Sequence, residues 1–144
     1  MLKDLKSNIL GYKYNLEFAP RITLISGNSG TGKTVLFKYF KAIEDGNNNS
    51  NIIALNTSKV NSLKKSGVDI ANLITNTKNK LVVIDNADLI LTEPVTKAIL
   101  LNQDNQYILF GRTCNGLCLD ENEIAELEIN DNNEIITNYI FKDM

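Results

Sequence analysis

Gly27-Asn28-Ser29-Gly30-Thr31-Gly32-Lys33-Thr34 is the stretch whose residue types and spacing could do chemistry. It fits G-x-x-x-x-G-K-[ST], in which glycines let the backbone curl until successive N–H groups converge on one point. Such a nest binds an anion, and a helix opening directly behind it adds the partial positive charge of its N-terminus. Lys33 is placed to reach the outer phosphates of a polyphosphate, and the Thr34 hydroxyl is a ligand type suited to Mg2+. In the empty loop Lys33 is expected to face solvent.

A divalent cation needs more oxygen, and Asp85 ends the continuous apolar run Leu81-Val82-Val83-Ile84. A carboxylate at the end of a buried strand is costly unless a cation or hydrogen bonds compensate, so Asp85 is read as the second metal ligand. Asn86 follows it, and an amide can orient a water but cannot take its proton. Asp88 and Glu93, a turn or more further on, are candidate bases, although acidic residues there also suit the first turn of a helix. Arg112 stands just after the apolar run Gln106 to Phe110, where a parallel sheet would bring it to the same edge as the glycine loop. Arg21, at the other end of the loop strand, is expected to be structural. The chain contains no histidine, which excludes imidazole catalysis. Cys114 and Cys118 cannot by themselves complete a four-ligand zinc site and are read as reduced thiols in or near the core.

The elements that must position these residues can be read from periodicity. Arg21 to Ser26 is a β-branched apolar strand leading into the loop. Thr34 to Ile43 has the broad apolar face of a helix packed on a sheet. Asn51 to Leu55 reads as a short strand and Ser66 to Thr77 as an amphipathic helix, with Thr57 to Lys65 left unassigned. Leu81 to Ile84 and Gln106 to Phe110 read as strands buried on both faces. Thr92 to Leu101 reads as a helix with Thr92 as N-cap and Pro94 in its first turn. Asn8 to Phe18 is expected to add one edge strand at the N-terminus, and Ile124 to Ile129 with Ile135 to Phe141 a hairpin, an extension of the core, about the polar turn Asn130 to Asn133. Alternating strands and helices imply an α/β fold with a mostly parallel sheet and helices on both sides.

At 144 residues, with 43% apolar side chains, the chain is expected to form one domain, 1–144. Its net charge of -2 gives no support for a surface that binds nucleic acid through its phosphates. No run approaches the roughly 18 apolar residues of a membrane span, and no signal peptide is visible, so a cytoplasmic location without membrane insertion is expected. The asparagine tracts, such as Asn47 to Asn49, read as polar surface turns.

With its glycine loop as a Walker A motif and Leu81 to Asp85 as a Walker B motif, the chain resembles a P-loop NTPase. It is most similar to the ATPase division that includes the AAA-type, RecA-like and ABC ATPases. The resemblance covers about Arg21 to Arg112 and implies a three-layer core in which Gln106 to Phe110 inserts between the loop strand and the acidic strand. It also implies ATP and Mg2+ as ligands, with Gly27 to Thr34 around the phosphates and Thr34 and Asp85 on the metal. Members often carry a catalytic Glu where this chain has Asn86, so hydrolysis is expected to be slow; Arg112 resembles a sensor or finger arginine. No N-K-x-D, no L-S-G-G-Q and no helical lid is present, which argues against guanine selectivity, a transporter ATPase and AAA-type remodelling. The expected function is a small ATPase whose nucleotide state controls self-association or a protein partner. The alternatives are a non-hydrolysing ATP-responsive binding module and a small-molecule kinase.

Overall fold

The computed structural model describes residues 1–27, 32–46, 51–112 and 116–140. Its strands follow from the apolar runs. They are β1 (Asp4–Ile9), β2 (Tyr12–Glu17), β3 (Ile22–Ser26), β4 (Ile52–Leu55), β5 (Leu81–Ile84), β6 (Gln106–Phe110), β7 (Ile124–Ile129) and β8 (Ile135–Tyr139). One continuous sheet carries all eight in the order β1-β2-β8-β7-β3-β6-β5-β4. The pairings from β7 across β3, β6 and β5 to β4 are parallel, as is β2 with β8, whereas β1 with β2 and β7 with β8 are antiparallel. The fold is therefore mixed α/β, mostly parallel and antiparallel in part. β6 lies between β3 and β5, the place expected for it.

Each central strand is apolar on both faces because both faces are covered. Val82, Ile84, Tyr107 and Leu109 join one buried cluster with Ile22 and Leu24. Their alternate neighbours Val83, Ile108 and Phe110 join a second with Ile25. The period-2 geometry of a strand sends successive side chains to opposite sides. Helix α1 (Lys33–Gly46) covers the second face with Leu36, Phe37 and Phe40. Helices α3 (Ile70–Asn76), α4 (Ala87–Ile90) and α5 (Glu93–Leu101) cover the first with Ile74, Ile90, Val95 and Ile99 among others. Burying one such large apolar side chain stabilises the fold by about 1.5–3 kcal/mol, so these two clusters hold the sheet edge that carries the loop.

Three expectations need correction. The N-terminal stretch is two strands, not one: a two-residue turn at Leu10 and Gly11, with φ of 50° and 85°, folds β1 back on β2. The unassigned stretch before Ser66 is helix α2 (Thr57–Lys65), started by Asn56, whose side chain accepts the Lys59 N–H at 2.8 Å. Gly67, at φ 83°, ends it, and the expected helix from Ser66 shrinks to α3. Helix α2 fully buries none of its residues and packs only Val60 and Leu63 in part against the core, so its apolar stripe is too short to read. The C-terminal hairpin is no appendage: β7 pairs in parallel with β3 and widens the main sheet. Asn130 builds its turn by accepting the N–H groups of Asn132 and Glu134, as short amide side chains do in loops. Phe141 and the Asn47 to Asn49 tract lie outside the described residues.

Arg21 is structural, as expected. Its guanidinium donates to the carbonyls of Ile99, Leu100 and Asn102 at 2.5, 3.2 and 3.3 Å, capping the C-terminal end of α5 where the helix dipole favours a cation. Among the described residues no helix is long and apolar enough to cross a membrane.

Candidate functional site

Because β3, β5 and β6 are parallel neighbours, the residues that follow them emerge on one edge of the sheet: Gly27 after β3, Asp85 after β5, Gly111 and Arg112 after β6. A cavity of about 720 Å³ opens there. Gly27, Gly32, Lys33 and Thr34 form one wall. Asp85, Asn86 and Asp88 form another, with Arg112 completing it and Tyr12 reaching in from β2. A second cavity, of about 610 Å³, lies at the opposite edge near Leu2 and Gln106. Its central amide is already spent, since Gln106 exchanges hydrogen bonds with both backbone groups of Leu2, and it gathers no comparable chemistry.

Gly32, just before α1, sits against β2 and β8. Gly32 has φ 92°, and a Cβ there would stand 2.9 Å from the Tyr14 hydroxyl and 3.1 Å from Ile135 Cδ1. Only glycine fits such a backbone at such an approach. The buried Tyr14 hydroxyl donates to the Gly32 carbonyl at 2.7 Å. Burial, with Tyr12 adding to it, pushes that phenol up to about 12, so it stays a donor throughout the neutral range. Gly27 is also left-handed, at φ 109°. Asn28, Ser29, Gly30 and Thr31 lie outside the described residues.

Lys33 does not point to solvent as expected. It is half-buried, and its ammonium donates to the Gly27 carbonyl across the loop. Desolvation pulls its pKa below the usual lysine value; Asp85, Glu126 and Asp88 work against that shift and Arg112 works with it. Three carboxylates and one guanidinium thus share the field of Lys33. Thr34 is exposed toward the cavity. Asp85 is half-buried, and one of its oxygens accepts the Asn86 N–H at 3.0 Å.

Asn86 is exposed and left-handed, at φ 51° and ψ 49°. Asparagine is among the few non-glycine residues at home there, so a backbone reason for its identity stands beside any chemical one. Asp88 accepts the Arg112 backbone N–H with both carboxylate oxygens, and so acts on the chain that carries Arg112. Glu93 does not join the site. It sits exposed in the first turn of α5 and does not line the cavity, which leaves helix N-terminal acidity as its role. Cys114 lies outside the described residues, and Cys118 is an exposed free thiol, not a core one.

Among the described residues no group of three or more His, Cys, Asp and Glu could hold a metal alone. A hard cation here would take oxygen from Thr34, from Asp85 and from the ligand itself, which is how Mg2+ is commonly held beside phosphates. The cavity, the glycine that admits no Cβ and the lysine at the head of α1 fit a phosphate ligand with such a cation. Sequence reasoning missed Tyr12, Tyr14 and Glu126. The alternation Tyr12-Tyr14-Leu16 after Gly11 was the available signal for the first two, and nothing local marked Glu126, which reaches Gly27 only through the β3–β7 register. No protein-family model matches this chain, and no curated protein matches it.

Proposed function

We propose that the chain is a small Mg-ATP-binding P-loop ATPase, slow in turnover, whose nucleotide state controls its association with itself or with a protein partner. The observation that carries the reading is convergence. Lys33 and Thr34 at the head of α1, Asp85 after β5 and Arg112 after β6 line one cavity although they come from three separate segments. The strand order β4-β5-β6-β3-β7, with β6 inserted between the loop strand and the acidic strand, supports membership of the ATPase division of P-loop proteins.

In this reading the backbone N–H groups of the loop and the start of α1 cradle the phosphates. Lys33 exchanges its internal acceptor, the Gly27 carbonyl, for phosphate oxygens. That exchange replaces a neutral partner with a charged one and so strengthens the bond. Thr34 and Asp85 would hold Mg2+, which supplies charge to the phosphate oxygens when bound. Arg112 neutralises charge at the far phosphate, and Asp88 keeps the Arg112 backbone in place. Asn86 orients a water without taking its proton, which is why turnover is slow.

The second reading, an ATP-responsive module that does not hydrolyse, is favoured by one observation: Asp88, the carboxylate nearest to replacing the missing base, is committed to Arg112. The test is to titrate the protein with ATP and GTP with and without Mg2+, and to follow phosphate release over hours at several protein concentrations. Asp85→Asn should weaken the Mg2+ dependence of binding more than binding itself. Absence of ATP binding by the wild-type chain overturns the proposal, and binding without phosphate release selects the second reading.

A further inference from the structure

The sheet ends in two edge strands, β4 and β1, and the chain treats them differently. β4 is sealed. Its Leu55 carbonyl faces β5, and the Ala54 N–H, turned the other way, donates to the Glu44 carboxylate at 2.8 Å. The Lys59 ammonium holds that carboxylate in turn. On the outer side of β1 no strand pairs among the described residues. Which groups face outward there follows from the ladder. The Phe18 N–H donates to the Lys3 carbonyl directly opposite it, so by alternation Leu5, Ser7 and Ile9 also turn their backbone toward β2. Asp4, Lys6 and Asn8 turn theirs outward, and all three are exposed. An open row of N–H and C=O groups is a template for another strand.

Strand β1 is complementary to itself. A two-fold axis through Leu5 sets Asp4 opposite Lys6 of a second, antiparallel copy and Lys6 opposite its Asp4, as hydrogen-bonded pairs with opposite charges side by side. Leu5, half-buried on the face that packs toward α1, then meets Leu5 of the copy at the rim of the cavity near Leu2. Other axes are poorer: one through Lys6 opposes two ammonium groups, and one through Asp4 opposes two carboxylates. Pairing stops short of Leu2, because Gln106 takes both its backbone groups. A lysine on an edge commonly deters pairing, but here Asp4, two residues away, answers it. We propose that β1 is a homodimer interface that joins two copies edge to edge into one continuous sheet, with Asp4 and Lys6 fixing the register. The contact is small, so the dimer is weak and reversible. This surface would serve the self-association proposed above, and only its link to nucleotide rests on that reading.

The test is sedimentation equilibrium of the full chain without nucleotide, so that its failure leaves ATP binding untouched. The wild type should pass from monomer to dimer between micromolar and millimolar concentration. Asp4→Lys and Lys6→Asp should each weaken the dimer by about tenfold, since each sets like charges opposite one another at both symmetry-related pairs. Mixed in equal amounts, the two variants should dimerise as the wild type does, because opposite charges then face each other again. Lys6→Gln, which removes a charge without adding one, should weaken the dimer less than Lys6→Asp. Both positions are exposed, so the variants should keep the wild-type circular dichroism. A wild type that stays monomeric overturns the inference, as does a dimer indifferent to both charge reversals. Loss in Lys6→Asp but not in Asp4→Lys would put the axis through Lys6 and overturn the register, and so would a mixture that fails to recover. If a charge reversal disturbs the fold, Lys6→Gln decides alone: a dimer as strong as the wild type's overturns the inference.

Discussion

Both carboxylate oxygens of Asp88 accept the backbone N–H of Arg112, each at 3.1 Å. The bond joins α4, which follows β5, to the segment that follows β6, and it closes the acidic side of the cavity. It also explains Gly111, where a Cβ would stand 3.0 Å from Asp88 Oδ1 and 3.2 Å from Ala87 Cβ. Asp88 acts on the site through Arg112.

If Asp88 holds the chain and does not take a proton, its amide analogue should serve nearly as well. Asp88→Asn keeps an acceptor and is expected to retain phosphate release within about threefold. Asp88→Ala leaves the Arg112 N–H without its partner and should lose about tenfold, comparable to one or two kcal/mol of hydrogen bonding. Phosphate release at saturating Mg-ATP, followed from pH 5 to 9, decides between the roles. A general base would lose its activity equally in both variants, together with the acidic limb of the profile.

Lys33 is held below the ordinary lysine range in the empty protein, chiefly by desolvation. Phosphate beside the ammonium would raise its pKa, so the bound state holds this proton more tightly than the empty state does. Between those two values nucleotide binding should take up a proton, and affinity should fall as pH rises through that window. Calorimetry at alkaline pH in two buffers of different ionisation enthalpy reads the uptake directly. A lowered folded-state pKa also means that the charged lysine opposes folding at lower pH. Lys33→Ala should therefore abolish measurable ATP binding and leave the thermal midpoint unchanged or raised.

Asn86 separates backbone from chemistry. In the left-handed region, Asn86→Glu should cost about 1 kcal/mol of stability, whereas Asn86→Gly should be neutral or stabilising, as chemical denaturation would show. If Asn86 also stands where a base would act, Asn86→Glu should release phosphate at least about tenfold faster at saturating Mg-ATP, despite its lower stability. A slower Asn86→Glu protein would mean that the wild-type amide already positions the water.

Leu10 adopts φ 50° at the tip of the β1–β2 turn and is largely exposed. Asparagine followed by glycine is the pair such turns prefer, so Leu10→Asn should raise stability by about 1 kcal/mol, the cost of a left-handed leucine. A shift in the denaturation midpoint without a change in its slope would show this.

The glycine loop, Lys33 and Thr34 could be picked out because their types and spacing are written in consecutive residues, which no packing alters. The β5 and β6 runs were legible for another reason: strands covered on both faces read as near-continuous apolar runs, and Leu81 to Ile84 has no other use for four such residues in a row. Helix α2 was illegible because only Val60 and Leu63 meet the core, each in part, and its bounds, Asn56 and Gly67, also read as loop signals. The β1–β2 turn was missed because Leu10, an apolar residue, occupies a position where the preferred signal is a polar one.

By itself the sequence determined which groups were available for chemistry: a glycine-rich segment, an ammonium, a hydroxyl, an acid after a buried strand, and no imidazole. The tertiary structure alone decided which of them meet. Asp88 and Arg112 are 24 positions apart and touch because β5 and β6 are neighbours in register. Tyr14 and Gly32 are 18 positions apart and touch because β2, by way of β8, joins the sheet beside the loop. Glu93 has the same carboxylate as Asp88 and takes no part, since the start of α5 lies away from the cavity. Local spacing places groups along one segment, but contacts between segments are set by strand order and register, and those depend on how the whole chain buries its apolar faces.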